Sequence, residues 1–329
     1  MSKKNVLFIS GLADDRKVKI AKVDEKGNIN WRNRGSANIS QYLHNDLFHC
    51  SKTILDTRSG QELPRQMIHG VFNEISDPDT HQITLQKADQ FYQTISSEVP
   101  FFNIPSHVMR TSRDKIYQLL DGIEKLQVPK TIKIQPKSSQ EIHKIIKEEG
   151  FAYPVIFRQA GDHGGISTIR VEDEAEQFYA FPLDGRDYYL TQFVEYVETD
   201  GLYKKYRLIV IDGEVCLRHV KISKEWMVHH RNQIEHPEAL QKIVARKFTS
   251  EIKPEIQPVI TEIYKRLQLD YFGIDCYLDK DMNLLVFEIN ASMTIFLKAE
   301  KEIFEKHLEL IRHSLIEMIS KRINDEKSD

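Results

Sequence analysis

Two β-rich runs near the end of the chain fix more of its architecture than any other segment. They are Tyr271-Phe272-Gly273-Ile274-Asp275-Cys276-Tyr277-Leu278 and Asn283-Leu284-Leu285-Val286-Phe287-Glu288-Ile289-Asn290, with Asp279-Lys280-Asp281-Met282 between them. Runs of this kind around a short polar turn predict an antiparallel hairpin. Side chains alternate along a strand, so Glu288 and Asn290 share a face, and Asp275 can approach Glu288 across the ladder. Alternation alone would also allow a single surface-facing acid on each strand. Two carboxylates and an amide oxygen gathered among Phe272, Ile274, Leu285, Val286, Phe287 and Ile289 are a different matter, because buried carboxylates need partners. Oxygen ligands of this sort suit Mg²⁺, which completes its shell with water and phosphate. The predicted metal ligands are Asp275, Glu288 and Asn290.

Upstream, the chain reads as α/β. Val6–Ile9 predicts a buried strand, Thr53–Leu55 a second one, and Leu85 to Ile95 an amphipathic helix. Ile116, Leu119, Leu120, Ile123 and Leu126 share a helical face that Val128-Pro129 breaks. Ser138-Ser139-Gln140-Glu141 is a capping box, and Gly150 fits the stop of the helix it starts. Strands follow at Pro154–Arg158, Ile166–Val171 and Tyr188–Val194, with the loop Gly161-Asp162-His163-Gly164-Gly165 between the first two. Asp212-Gly213 between Tyr206–Val210 and Glu214–Arg218 predicts another hairpin. A helix around Val259–Leu267 comes before the last hairpin. A long amphipathic helix ends the chain, its Ile311 and Leu315 forming a core or dimer face, so a homodimer is one expectation. The expected units are 1–105, 106–195 and 196–329.

Composition narrows the function classes. Of 329 residues 40% are hydrophobic and 29% charged, which fits a folded globular chain. Lys plus Arg is 46 against 49 Asp plus Glu, a balance unlike that of a nucleic-acid binder. No apolar run is long enough to span a bilayer. Cys50, Cys216 and Cys276 are sparse and unpaired in spacing, so no disulfide framework or common zinc site is expected and a cytoplasmic location is the simplest. No P-loop, His-Arg-Asp or Asp-Phe-Gly motif occurs, which argues against those phosphoryl-transfer folds.

The segment from Gly273-Ile274-Asp275 to Glu288-Ile289-Asn290 resembles the C-terminal signature of the ATP-grasp superfamily, the group that includes D-alanine–D-alanine ligase, glutathione synthetase, synapsin and the glutamate ligases acting on a ribosomal protein. The resemblance extends over about residues 100 to 300. It implies an α/β (α+β) fold in which a small leading domain precedes two subdomains that sandwich ATP. It implies that Lys115, on the first helix of the central unit, contacts phosphate. Arg158 stands where most members carry Lys, and with His163, Gly164 and Gly165 it is similar to a bacterial subgroup with a basic strand residue before a Gly-rich loop. Gln192, Phe193 and Val194 match the hinge that holds adenine, and Arg207 matches a phosphate-contacting arginine. Arg158 and Arg207 are the implied catalytic cations.

The chemistry such a resemblance implies explains each residue type. Moving the γ-phosphoryl of ATP onto a carboxylate requires fixed cations around the transferring oxygens. Lys115, Arg158 and Arg207 would supply them, and glycines let backbone N–H groups approach phosphate. The implied function is an ATP- and Mg²⁺-dependent ligase joining a carboxylate and an amine, either small molecules or peptides. A regulatory ATP-binding protein and a small-molecule kinase are the alternatives. Lys221, Trp226, His229 and His230 follow the first hairpin and are candidates for substrate contact, although adjacent histidines are also common in exposed loops. The acid and the amine have no motif in this sequence.

Overall fold

The computed structural model describes residues 3–32, 35, 37, 39–43, 47–58, 63, 67–95, 97, 99–162, 165–229, 231–293, 295 and 301–325. Three principal sheets carry the chain. The leading sheet is parallel, in the order Phe48–Leu55, Lys4–Gly11, Gly70–Asn73, Phe101–Phe102. Parallel neighbours need crossovers, and the helix Gln82–Ile95 supplies one, burying Leu85, Ala88, Phe91 and Ile95. A separate hairpin, Lys19–Val23 with Ile29–Arg32, interrupts the first crossover. The sequence pattern missed it because its apolar side chains face outward, with Ile20 and Ile29 more than half exposed.

The central sheet is antiparallel, in the order Thr168–Val171, Val155–Gln159, Tyr188–Gln192, Thr131–Ile134. The helix Ser139–Glu148 lies over it. Ser138 caps it: its Oγ accepts from the Glu141 N–H at 3.2 Å, while the Glu141 carboxylate accepts at 2.8 Å from the Lys137 N–H, one residue before the N-cap that a capping box would use. Gly150 takes the left-handed conformation expected of a helix stop. Ile142 and Ile146 pack with Val155, Phe157, Phe178 and Tyr188 in a core drawn from this unit alone.

The C-terminal sheet runs Glu214–Ser223, Tyr203–Ile211, Tyr271–Leu278, Leu284–Ala291, Leu126–Gln127, antiparallel except for the last pair. The Asp212-Gly213 turn has positive φ at both residues, as a tight two-residue hairpin requires. Alternation along Tyr203–Ile211 splits two cores. Leu208 and Val210 join a core with the helix Lys253–Leu267. Ile209 and Ile211 join another with the closing helix Lys301–Asp325 and the leading sheet. Ile311 and Leu315 have no exposed surface, so the apolar stripe of the closing helix is core.

The helix that begins at Arg113 ends at Leu120, short of the Leu126 expected from periodicity. Gly122 and Lys125 both take positive φ, and Leu126–Gln127 turns into the edge strand beside Leu284–Leu285. The helix Glu238–Lys247 was not legible because it buries little more than Gln241. No helix among the described residues is long and apolar enough to cross a membrane.

Candidate active site

The register of the C-terminal sheet lines up four polar residues. His219, Arg207, Asp275 and Glu288 stand directly opposite one another across four strands. Arg207 grips Asp275 with two hydrogen bonds, Nε to Oδ1 at 2.7 Å and Nη2 to Oδ2 at 2.9 Å. Lys205 Nζ lies 3.6 Å from the same carboxylate. Burial pushes the Asp275 carboxyl up, but the adjacent Arg207 outweighs it and holds the group well below the usual range. Glu288 pairs with Arg113 at 3.0 Å, and Arg113 also donates to the Phe287 carbonyl at 2.7 Å.

Asn290 stands opposite Gly273. Its Oδ1 is shielded from solvent and has no hydrogen-bond partner among the described residues. A Cβ on Gly273 would come within 2.4 Å of Met293 Sδ, so the glycine lets Met293 fold over the strand beside the polar row. Asp275, Glu288 and Asn290 therefore present two carboxylates and an unpartnered amide oxygen on one face. An ionised carboxylate has about four acceptor sites, so a guanidinium and a metal can share one. This all-oxygen donor set fits Mg²⁺.

Arg158 faces this floor from the central sheet. It is paired in register with Thr168 and Tyr189. Its Nη2 donates to the Asp162 carbonyl, and its Nε has no partner among the described residues. Burial, with the like charge of Arg113 nearby, lowers its pKa to about 10, so it stays charged at neutral pH. The loop after it bends through Gly161 and Gly165, both at positive φ. A Cβ on Gly165 would lie 2.9 Å from Met227 Sδ, so the loop meets the segment after Ser223 closely. His163, Gly164 and His230 lie outside the described residues.

A cavity of about 370 Å³ lies between the central and C-terminal sheets. Arg158, Gly165, Gln192, Phe193, Val194, Arg207, Asp275 and Glu288 all line it, and so do Lys221, Trp226 and His229. Gln192 is spent on structure: its amide ties Ala152 and Pro154 to the strand end. The Val194 N–H and C=O have no partner among the described residues. Lys115 is not in the lining; its Nζ donates to the Met109 carbonyl at 3.1 Å. Arg113, from the same helix, lines the cavity instead. A signal for that existed in the sequence, since Arg113 is three residues before the buried Ile116 and Lys115 only one. Lys205 was likewise missed. A smaller cavity of about 30 Å³ adjoins at Arg113, Arg158 and Glu288, and Asn290, Ser112 and Asp79 line it.

Asp79 joins two units across that smaller cavity. This residue of the leading unit accepts hydrogen bonds from Tyr189 Oη at 2.7 and 2.8 Å and pairs with Lys133 at 2.7 Å. Tyr189 and Lys133 both belong to the central sheet.

Two sheets thus face each other across one cavity, the C-terminal sheet bringing Lys205, Arg207, Asp275 and Glu288 to it and the central sheet Arg158. Residues 111–311 match the RimK-like ATP-grasp domain. The chain belongs to the RimK-like ATP-grasp family and is of the ATP-grasp ligase class. Over 226 residues it is 24% identical to the coenzyme γ-F420-2:α-L-glutamate ligase of Methanocaldococcus jannaschii, which covers 66% of this chain and 73% of that one. Its fold is similar to a RimK domain ATP-grasp protein from Sphaerobacter thermophilus, with TM-score 0.53 and 14% identity over 97% of this chain and 99% of that one. It is also similar to the D-alanine–D-alanine ligase of Bacillus anthracis solved with ATP, with TM-score 0.52 and 12% identity over 98% of each.

Proposed function

We propose that this chain joins a carboxylate to an amine at the expense of ATP, through an acyl phosphate. The observation that carries the reading is the meeting of Arg158, from one sheet, with Arg207, Asp275 and Glu288, from another, in a single cavity. Among charged lining residues, Arg113, Arg158, Lys205, Arg207 and Lys221 outnumber Asp275 and Glu288. Such an excess of fixed cations suits a triphosphate.

In this reading the adenine lies against Phe193 and hydrogen-bonds the peptide groups of Val194. The phosphates run toward Arg158 and Arg207, and Gly165 lets the loop backbone close over them. Asp275, Glu288 and Asn290 hold Mg²⁺. Bound there, Mg²⁺ would neutralise phosphate charge and favour departure of ADP. Arg158 and Arg207 stabilise the negative oxygens of the group in transfer. A substrate carboxylate oxygen attacks the γ-phosphorus as the bond to ADP breaks. The amine nitrogen then attacks the acyl carbon, phosphate leaves, and the nitrogen loses a proton. Lys115, outside the cavity, takes no part in this reading, and Arg113 replaces it. The chain divides at 105 and 195 into a leading unit, a nucleotide cover and a metal-bearing floor, with Leu126–Gln127 crossing back to the floor. Three free thiols agree with a reducing, cytoplasmic location.

The test is ADP release with pairs of acids and amines, L-glutamate first because the archaeal relative is by name a glutamate ligase. ADP should form only with Mg²⁺ and only when both an acid and an amine are present. A stable phosphorylated product formed without any amine would instead identify a kinase.

A further inference from the structure

The strand that carries Glu288 and Asn290 is fastened at its end by a residue from the leading unit. Asn103 follows the strand Phe101–Phe102, has no exposed surface, and takes φ +55. Its side-chain Oδ1 accepts from the Tyr271 N–H at 3.0 Å, and its Nδ2 donates to the Tyr271 C=O at 2.7 Å. That double exchange is what a neighbouring strand gives in an antiparallel ladder. The strand Leu284–Ala291 does not give it. Its pairing stops at Ala291 opposite Phe272, and Ser292 turns away at φ +58. The amide of Asn103 completes the ladder where the strand ends.

The same Nδ2 donates to Ser292 Oγ at 3.2 Å. Ser292 Oγ donates to the Asn73 C=O at 3.0 Å, and Asn73 Nδ2 donates to the Asn103 C=O at 3.1 Å. The three residues form a closed ring, and none is more than 1% exposed. Asp270 takes the Asn103 N–H at 2.6 Å. A buried polar network with its bonds satisfied holds one geometry and tolerates few others. Ser292 is two residues beyond Asn290. Tyr271 is two before Gly273, which stands opposite Asn290. The ring therefore grips both strands one step from the unpartnered Asn290 Oδ1, while Asn103 itself lines neither cavity.

We propose that Asn103 is a positioning residue for metal binding: through Tyr271 and Ser292 it fixes the strand end so that the oxygens of Asn290, Glu288 and Asp275 converge. The inference rests on the reading of those three residues as Mg²⁺ ligands. Removing a partner that orients a metal ligand typically lowers metal affinity by roughly 10- to 100-fold.

The experiment titrates Mg²⁺ into full-length protein at a fixed concentration of a non-hydrolysable ATP analogue and measures bound nucleotide by equilibrium dialysis. Asn103→Ala and Ser292→Ala are compared with wild type and with Leu315→Ala, a core control chosen to lower stability without touching the ring. The Mg²⁺ midpoint is expected to rise roughly tenfold in the two ring variants and to stay at the wild-type value in Leu315→Ala. Ser292→Ala keeps the exchange with Tyr271, so it decides the matter if Asn103→Ala does not fold. A wild-type midpoint in Ser292→Ala, or an equal rise in Leu315→Ala, overturns the positioning role alone. Wild-type binding with no Mg²⁺ dependence at all overturns the metal reading and this inference with it.

Discussion

The central sheet and the C-terminal sheet face each other across one cavity but are held in opposite ways. The core of the central sheet is its own: every residue packed with Phe157 and Tyr188 lies within that unit. The C-terminal sheet is buried on both faces, by the helix Lys253–Leu267 on one and by the closing helix with the leading sheet on the other. The first, the cover, therefore has a core of its own, and the second, the floor, shares its cores with the leading unit and the closing helix. The charges follow the same division. On the floor, Arg207 and Asp275 satisfy each other within the sheet. On the cover, Arg158 leaves Nε without a partner among the described residues. The charges that satisfy each other are on the floor, and the guanidinium with a nitrogen lacking a partner among the described residues is on the cover.

The largest effect should come from breaking the floor. Arg207→Met leaves Asp275 buried with Lys205 and His219 near it. Removing one partner of a buried ion pair costs about 3–5 kcal/mol, and the remaining lysine puts this case near the lower end. Denaturant unfolding measures the loss. The pH dependence should weaken as well. In the wild type the folded carboxyl has a depressed pKa, so its contribution is present above about pH 4, the unfolded value, and is lost as pH falls below that. In Arg207→Met the largest lowering interaction is gone, so the loss of stability on acidification should be smaller than in the wild type. A variant that unfolds like wild type would mean that the floor is not held by this pair.

Next in size is Glu288→Gln, expected to lower kcat about 10²- to 10³-fold, the usual cost of losing one group that stabilises transferring charge, with a smaller change in ATP affinity. Single-turnover ADP release separates the two. Arg158→Ala should act on binding and not on folding. ATP affinity should fall by about 1.5–3 kcal/mol, the range for a hydrogen bond to a charged group, and the melting temperature should hardly move. A loss of stability with normal affinity would assign Arg158 to structure. The smallest effect is expected for Asp79→Asn, which weakens the tie between leading unit and cover by about 1 kcal/mol. Hydrogen exchange should quicken in the central sheet and not in the floor; uniform exchange would erase the distinction between them.

What the sequence disclosed follows from the range of the interactions involved. The hairpin carrying Asp275 and Glu288 was legible because a short turn and a two-residue period set its register without help from elsewhere. That Arg113 lines the cavity and Lys115 does not depends on how one short helix docks, which its buried Ile116 fixes. The bonds of Asp79 to Lys133 and Tyr189 span 54 and 110 residues, and nothing local announces them. Asn103 lies in Pro100-Phe101-Phe102-Asn103-Ile104-Pro105, where nothing local announces its bonds to Tyr271 and Ser292, 168 and 189 residues away.

The row Arg207, Asp275, Glu288, with Arg113 at its end, alternates so that two guanidinium groups answer two carboxylates. Metal sites lined only by acids repel themselves until a cation arrives, and such chains often depend on the ion to fold. This row is neutral as the chain makes it. A row so balanced does not need a divalent ion to offset its charge, and under the proposed function Mg²⁺ would enter with the nucleotide, each carboxylate sharing its acceptor sites between an arginine and the metal.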